Sequence, residues 1–291
     1  MNESDVVIVG AGPIGIELAA AFKRAKVDYI HLEAGQIGQT VLTYPRQVKF
    51  FSSPERISLA GIPLQTADQS KATREEYLAY LRGVIQHYDL RINTFERVIN
   101  LRKEGDRFII ETHHGSESRE YIAKRVVLAI GDMHKPNLLH IPGEELPHVS
   151  HYFDEPHLYF QQKLLIVGGH NSAVEAAIRC FRAGADVTLS YRRDQFDEKI
   201  IKYWLYPEIQ WLIQKQFIKF LPGTQPTKIT QEHVRLTASP DTKVGKPVMV
   251  EADFVLLLTG YQIDPTLYNK IGVKLKSDNN APLLDDHTME S

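Results

Sequence analysis

The chain has 291 residues, of which 43% are hydrophobic and 24% are charged, as in an ordinary globular protein. Its formal net charge of −2 gives no reason to expect nucleic acid as a partner, and no run of about 18 apolar residues predicts a membrane span. The single cysteine, Cys180, excludes an intrachain disulfide. The first predicted strand is reached within five residues of the N-terminus, which leaves no room for a signal peptide, so we expect a cytoplasmic location.

The first predicted unit is a strand, a glycine turn and a helix. The apolar run at 6–9 predicts a strand that is buried on both faces. Gly10, Gly12 and Gly15 follow, and then an apolar helix at 16–22. In this order the glycines allow a tight turn, a close approach of the backbone to a pyrophosphate, and packing of the helix on the strand. The segment therefore predicts a dinucleotide site with the phosphates at the helix N-terminus.

The strand that comes next supports this prediction. It spans residues 28–32 and ends in Glu33, about 20 residues beyond the turn, where a carboxylate accepts hydrogen bonds from both ribose hydroxyls. Thr73 and Glu76 predict a capping box at the start of a later helix. Three antiparallel strands are predicted between residues 95 and 122, and a separate buried strand at 125–130 ends in Gly131.

The pattern of strand, turn and helix then repeats. A buried strand is predicted at 163–167, a turn at 168–173 and a helix at 174–183. The strand after it ends in Tyr191, Arg192 and Arg193 rather than in an acid. Arginine pairs with the 2′-phosphate of NADPH, which a carboxylate would repel, although a solvated basic loop is an alternative. A strand at 254–259 is closed by Gly260, as the strand at 125–130 is closed by Gly131, so the chain predicts two bound nucleotides.

Several motifs together resemble the pyridine nucleotide-disulfide oxidoreductase superfamily, and within it the thioredoxin reductase-like flavoproteins of the bacillithiol disulfide reductase branch. They are IVGGHNSAVEAA at 166–177, the segments at 44–45, 49–54 and 72–76, and Tyr203-Trp204. The resemblance implies an α/β fold with two Rossmann-like, three-layer ββα nucleotide-binding domains. It implies a discontinuous FAD domain at 1–148 and 251–291, with an NAD(P)H domain inserted at 149–250.

The resemblance also implies which residues bind the cofactors FAD and NADPH. For FAD they are Gly10, Gly12, Pro13, Ile14, Gly15, Glu33, Ala34, Gln39, Thr40, Val98, Ala129 and Gly131. Among these, Gln39 and Thr40 are expected near the flavin, and the backbone of Val98 near the adenine. For NADPH the residues are Gly168, Gly169, His170, Asn171, Ser172, Tyr191, Arg192 and Arg193, with Gly260 as the second closure.

Three departures from the family pattern limit this transfer. Ile14 stands where the branch carries a cysteine in its first glycine turn, and the chain has no CxxC, so no catalytic side chain is predicted. We expect Cys180, in the middle of a helix, to be a buried structural thiol. His170 replaces the middle glycine of the second turn and would either narrow the approach to the pyrophosphate or donate to a phosphate. The family's last glycine-rich strand and helix are not found before Ser291, so the FAD site is expected to be incomplete.

The predicted function is hydride transfer from NADPH to FAD and electron delivery to a small-molecule or small-protein acceptor. By resemblance the acceptor is a low-molecular-weight disulfide such as bacillithiol disulfide. A non-thiol acceptor (quinone, ferredoxin or oxygen) and a non-catalytic sensor of NADPH or redox state are the alternatives. No metal-ligand spacing is found among the 12 histidines, and no metal site is predicted. A homodimer is expected from the family and from the frequency of symmetric oligomers.

Overall fold

The computed structural model describes residues 2–133, 135–277 and 279–291. It divides the chain into two compact units. Unit 1 consists of Met1–Lys135 and Tyr261–Ser291, and unit 2 of Pro136–Gly260. Each unit contains one of the two predicted glycine turns.

Unit 1 is built on a five-stranded sheet in the order β2-β1-β5-β4-β3. Its elements in chain order are β1 (Asn2–Val9), α1 (Pro13–Ala25), β2 (Tyr29–Leu32), α2 (Gln39–Leu42), α3 (Pro54–Ile57), α4 (Arg74–Tyr88), β3 (Glu96–Glu104), β4 (Arg107–His114) and β5 (Glu117–Leu128). Strand β1 is parallel to β2 and β5, whereas β3, β4 and β5 form an antiparallel meander. The carboxyl ends of β1, β2 and β5 therefore lie side by side at one edge, which is where the first glycine turn begins.

The two faces of β1 are buried in different ways, as its apolar run predicts. Ile8 packs with Ile16 of α1 and Leu81 of α4 on one face. Val7 and Val9 pack on the other face with apolar residues of β3, β4 and β5. Helix α4 starts with the predicted capping box. The backbone N–H of Glu76 donates to the Thr73 hydroxyl, and the backbone N–H of Thr73 donates to the Glu76 carboxylate.

One strand assignment from the sequence was wrong. The sequence predicts separate strands at 120–122 and 125–130, but residues 117–128 form the single strand β5. The first half of β5 pairs with β4, and the strand continues along β1 as far as the pair of Val9 with Leu128. No turn-forming residue lies between Ile122 and Arg125, so nothing in the backbone interrupts the strand.

Unit 2 is built on a parallel sheet in the order β10-β9-β8-β14-β7 and an antiparallel sheet β11-β12-β13. Strand β6 (Lys135–Pro136) lies where the chain passes from unit 1 to unit 2. The elements of unit 2 that follow are β7 (Val149–Ser150), a 3₁₀ turn (Pro156–Tyr159), β8 (Lys163–Val167), α5 (Asn171–Arg182), β9 (Asp186–Tyr191), α6 (Tyr206–Gln214), β10 (Lys219–Pro222), β11 (Thr224–Ile229), β12 (His233–Ala238), β13 (Val248–Glu251) and β14 (Phe254–Leu257). Two further elements belong to the C-terminal part of the chain: β15 (Tyr261–Gln262) and α7 (Thr266–Lys270).

The central strand β8 is also buried on both faces. Leu164 and Ile166 face the alanine-rich side of α5, including Ala173 and Ala177. Leu165 and Val167 face the antiparallel sheet. Each unit thus has a helical layer on one face of a sheet with parallel strands and antiparallel strands on the other side, which confirms the predicted Rossmann-like, three-layer arrangement.

The limits of unit 2, Pro136 and Gly260, differ from the predicted limits of the inserted domain, 149 and 250. Leu139, Ile141 and Leu146 pack against the apolar cluster of Leu165 and Val167, so residues 137–147 belong with unit 2. Strand β14 pairs with β8 in the register Val255 to Leu165, which places the segment before Gly260 in unit 2 as well. In the described part of the chain, no helix has the length and apolarity needed to span a membrane.

Candidate functional site

The first glycine turn connects β1 to α1 and packs against the end of β5. Gly10 has φ = +107°, and a Cβ there would overlap the carbonyl oxygen of Ala129. Ala129 is held in place because its N–H donates to Val9 O at 2.8 Å. Gly15 is equally restricted, since a Cβ there would overlap Gly10 O. Only glycine fits at these two positions, and both restrictions keep helix α1 close to the strand edge.

The start of α1 offers the groups that a pyrophosphate needs. Gly12 is the N-cap residue, has no side-chain capping bond, and would have open space around an added Cβ. Pro13 occupies the first helical position, where its missing N–H costs no hydrogen bond. The free N–H groups of the first helical turn and the positive end of the helix dipole favour an anion here. The turn therefore fits a dinucleotide phosphate.

Glu33 is held beside this turn by two backbone donors. Ala11 N donates to Oε2 at 2.7 Å, and Gly35 N donates to Oε1 at 2.7 Å. The residue is only 7% exposed, so its carboxylate is fixed at the end of β2. Each carboxylate oxygen can accept more than one hydrogen bond, and the group can still accept from ribose hydroxyls. This geometry is compatible with the role that was predicted for Glu33.

Glu96 holds the backbone of Glu33 in place, and the sequence analysis did not identify it. Its N–H donates to Glu33 O at 2.8 Å. Its buried carboxylate accepts from Thr112 Oγ1 at 2.7 Å and from Tyr121 OH at 2.6 Å through Oε1, and from Arg119 at 3.1 Å through Oε2. Burial, and then the Glu96 carboxylate, raises the pKa of Tyr121, so this hydroxyl stays a donor. The signal in the sequence was that Glu96 alternates with apolar residues such as Val98, so that it falls on the buried face of its strand.

Val98 lies on the same strand, two residues after Glu96. Its side chain is buried in the core of unit 1, and the pairing of β3 with β4 is irregular between Val98 and Asn100. The side chain is thus used for packing, which leaves the backbone of Val98 for the predicted contact with adenine.

His31 lies directly under the first turn and was also missed. Its ring is 1% exposed, and Nε2 is 2.8 Å from Gly10 O. Burial lowers the pKa of His31, so the ring is neutral and Nε2 donates to the carbonyl. Among the described residues Nδ1 has no hydrogen-bond partner. A histidine within the short strand β2, which is otherwise apolar or aromatic, was the only signal in the sequence.

The remaining residues predicted for FAD are distributed around the same edge. Gly38 N donates to Ala11 O at 2.9 Å, which brings Gln39 and Thr40 of α2 to the first turn. Four of the predicted residues are exposed: Ile14, Ala34, Gln39 and Gly131. Of these, Ile14 is a large apolar side chain that is 72% exposed at the second position of α1.

The second glycine turn connects β8 to α5 and is built differently. Gly168 N donates to Ser190 O at 3.0 Å, which joins the turn to β9. A Cβ on Gly169 would overlap the ring of Tyr191, which fills that space and stacks on Phe196 at a centroid distance of 5.6 Å. Tyr191 is buried, and among the described residues its hydroxyl has no partner. Tyr191 thus forms the floor of the turn.

Two cations and one neutral ring lie at the open side of this turn. Arg192 and Arg193 are exposed and follow directly on β9. His170 is the N-cap residue of α5. Burial lowers the pKa of His170, and the nearby Arg193 and Arg192 lower it further. The ring of His170 is therefore neutral near pH 7, and the positive charge of the site comes from the arginines and the helix N-terminus.

Asn171 uses its side chain to hold a neighbouring segment. Nδ2 donates to Ile200 O at 3.0 Å, and Oδ1 accepts from Lys202 N at 2.7 Å. Lys202 also forms a nearly buried ion pair with Glu175 of α5 at 2.8 Å, a contact that was missed in the sequence. Asn171 and the exposed Ser172 can still present their backbone N–H groups, because both lie in the first turn of α5.

Gly260 has φ = +95° and is exposed just after β14. Asn137 N donates to its carbonyl oxygen at 2.9 Å. The second predicted closure is thereby fixed at the end of a strand that pairs with β8.

The thiol of Cys180 is not available for chemistry. The residue is 0% exposed in the middle of α5, and burial raises the pKa of Cys180 to about 12. The expected structural role is confirmed. Within the described ranges, no cluster of three histidine, cysteine or acidic residues has the geometry of a metal site.

The chain matches the pyridine nucleotide-disulphide oxidoreductase family over residues 7–291, from the first strand through both glycine turns. It belongs to this family. The predicted superfamily is therefore confirmed, and so is the class of enzyme, an NAD(P)H-dependent flavoprotein oxidoreductase. The family uses FAD and NADPH, and these are the cofactors of this pyridine nucleotide-disulphide oxidoreductase.

Relatives of the oxidoreductase extend over almost the whole chain. Bacilliredoxin reductase Bdr of Bacillus subtilis is 32% identical, with 100% of this chain and 87% of the relative covered. The structure of bacillithiol disulfide reductase Bdr (YpdA) from Bacillus cereus is 34% identical, with a TM-score of 0.92 and coverage of 100% and 88%. A ferredoxin–NADP reductase of Ignicoccus hospitalis is 28% identical, with coverage of 97% and 85%.

Proposed function

We propose that this enzyme transfers a hydride from NADPH to FAD and delivers the electrons to a non-thiol acceptor, such as a quinone or a ferredoxin. In this proposal the first glycine turn, with Glu33, binds FAD, and the second turn, with Arg192 and Arg193, binds NADPH. The arginines support the second assignment because a guanidinium pairs with a 2′-phosphate. FAD supplies the redox chemistry, and the residues of the chain bind and orient the two nucleotides.

The observation that carries the proposal is the absence of a usable thiol in these 291 residues. A relay to a disulfide needs a thiolate that is accessible to the substrate. Cys180 is the sole cysteine and is buried with a pKa of about 12, while the position in the first turn is occupied by the exposed Ile14. A quinone or a ferredoxin accepts electrons without a thiol relay.

A second candidate acceptor is a low-molecular-weight disulfide such as bacillithiol disulfide. It is favoured by the similarity to the Bdr proteins over the whole chain, at 32–34% identity. If this candidate is correct, the enzyme reduces the disulfide without a thiolate at position 14, and substitution of Cys180 leaves the rate unchanged.

Anaerobic stopped-flow absorbance tests the proposal. The FAD-loaded protein is first mixed with one equivalent of NADPH, and bleaching of the flavin band is followed. The reduced protein is then mixed with 1,4-naphthoquinone, ferredoxin or bacillithiol disulfide in separate experiments. We expect fast reoxidation by the quinone or ferredoxin and slow reoxidation by the disulfide. Faster reoxidation by the disulfide would contradict the main proposal, and no bleaching by NADPH would favour a non-catalytic sensor.

An Ile14→Cys variant provides the matched comparison. It adds a thiol at the exposed position of the first turn and leaves Cys180 unchanged. We expect this variant to reoxidise faster with bacillithiol disulfide than the unchanged protein, with no gain for the quinone. Ile14→Ser is the control for the loss of the apolar side chain.

The assembly and the location of the enzyme are also part of the proposal. We propose a homodimer, because symmetric dimers are the commonest oligomers and the family resemblance implies one. We propose that the enzyme works in the cytoplasm, since its electron donor, NADPH, is a cytoplasmic metabolite. Sedimentation of the FAD-loaded protein tests the first statement.

A further inference from the structure

The loop 239–247, between β12 and β13, is fixed beside the arginines that follow β9. Ser239 N donates to Gly223 O at 2.7 Å, and Gly223 N donates to Arg193 O at 3.0 Å. Gly245 packs on the same carbonyl, and a Cβ on Gly245 would overlap Gly223 O. Backbone contacts rather than flexible side chains therefore set the position of this loop relative to Arg193.

The loop brings a carboxylate to Arg192. Asp241 Oδ2 lies 3.5 Å from Arg192 Nε, and the two side chains are 47% and 63% exposed. A single contact between exposed partners contributes little to folding stability and holds a guanidinium weakly. The fold of unit 2 therefore gains little stability from this pair, and both charges remain accessible to a bound ligand.

Arg192 directly follows β9, the second strand of this nucleotide-binding unit. In folds of this type, the residues at the end of that strand lie beside the adenosine ribose of the bound dinucleotide. An arginine after the second strand of the nucleotide-binding unit pairs with a 2′-phosphate. This phosphate carries a charge of about −1.5 to −2 and would lie within a few Å of Asp241. The Asp241 carboxylate and the 2′-phosphate would then share the Arg192 guanidinium and repel each other. The neutral ring of His170 adds no positive charge to offset this repulsion.

We propose that Asp241 competes with the 2′-phosphate of NADPH for Arg192 and thereby limits the preference of the enzyme for NADPH over NADH. The inference rests on the proposed assignment of the second turn to NADPH. Asp241 is a specificity-determining residue in this account, because NADH has no 2′-phosphate and does not need the arginine. Further charged residues in these segments are Asp194, which directly follows Arg193, Lys243 and Lys246 on the same loop as Asp241, and Asp197, which acts on His170.

Isothermal titration calorimetry of the FAD-loaded protein with NADP⁺ and with NAD⁺ tests the proposal without turnover. Asp241→Asn should lower the Kd for NADP⁺ up to about fivefold, because Arg192 then pairs with the phosphate alone and an exposed ion pair of this kind contributes up to about 1 kcal/mol. The Kd for NAD⁺ should change less than about twofold. The gain should shrink at high ionic strength, because the charges are exposed.

Asp186→Asn is the matched control. It removes the same charge from the other end of β9, about 16 Å away at roughly 3.3 Å per residue, and Asp186 is exposed. We expect it to leave both Kd values unchanged. Arg192→Ala combined with Asp241→Asn isolates the competition: without the guanidinium, the gain from Asp241→Asn should fall to about twofold or less.

The outcomes separate the two levels of the inference. If the unchanged protein binds NADP⁺ but Asp241→Asn leaves its Kd unchanged or raises it, Asp241 does not compete and the proposal is wrong. An undiminished gain in the Arg192→Ala background would also overturn it. If the unchanged protein does not bind NADP⁺, the assignment of the second turn fails, and this inference fails with it.

Discussion

Removal of the Glu96 carboxylate should destabilise unit 1 and weaken FAD binding. In Glu96→Ala, the buried hydroxyls of Thr112 and Tyr121 lose an ionised acceptor, and Arg119 loses one of its two carboxylate partners. A hydrogen bond to a charged group contributes about 1.5–3 kcal/mol, and stranding its buried partner adds to the loss. Two such bonds give an expected loss of about 3–5 kcal/mol in the free energy of unfolding of unit 1. Arg119 is 38% exposed and can be solvated, so its share is small.

The positions of the tryptophans allow the two units to be followed separately. Both of them, Trp204 and Trp211, lie in unit 2. Tryptophan fluorescence in a urea titration therefore reports on unit 2. With FAD bound at the first turn as proposed, the rise of flavin fluorescence on FAD release reports on unit 1. Glu96→Ala should shift the midpoint of FAD release to lower urea concentration and leave the tryptophan transition unchanged.

Glu111→Gln is the control for a carboxylate in the same sheet. Glu111 pairs with Arg102, but its side chain is 36% exposed, so its removal should cost less than about 1 kcal/mol. Equal effects of the two substitutions would refute the reasoning, because burial would then make no difference. A loss below about 1 kcal/mol in Glu96→Ala would refute it directly.

Three further predictions follow from single contacts. Gly169→Ala should displace the Tyr191 ring, lower the thermal midpoint of unit 2 and raise the Kd for NADP⁺, whereas Gly83→Ala, on the open side of α4, should raise stability slightly. Cys180 should not react with iodoacetamide between pH 7 and 9 in the native protein, since its pKa of about 12 keeps it protonated; rapid alkylation there would contradict its burial. Cys180→Ala should leave NADPH oxidation unchanged, and a loss of more than tenfold would show a catalytic thiol.

The sequence predicted both turns because their requirements are local. Gly10 must adopt φ = +107° beside Ala129, and such steric demands leave glycines at fixed spacings that can be read without a structure. The apolar runs of β1 and β8 were recognisable for the same reason, since strands buried on both faces exclude polar residues over consecutive positions.

The partners of Glu96 and Tyr191 could not be predicted because they come from distant segments. Glu96 meets Thr112 and Tyr121, which are 16 and 25 residues further along the chain, only after the meander has formed. Tyr191 occupies the space over Gly169 only because β9 lies beside β8. Local patterns carry no information on such pairs, since strand register decides which side chains meet.

The two turns differ in where they keep the charges that are proposed to distinguish the two nucleotides, and this difference affects how easily each site can be altered by mutation. Glu33 is 7% exposed and bound by two backbone N–H groups, so its replacement leaves buried donors unpaired and costs stability. In unit 2, the buried Tyr191 holds the turn, and the charges of Arg192, Arg193 and Asp241 lie outside in solvent. Surface substitutions usually change stability by less than about 0.5 kcal/mol. If the second turn binds NADPH as proposed, the coenzyme preference can therefore be altered by substitutions that leave the fold intact, whereas the charge at the first turn is tied to the core of its unit.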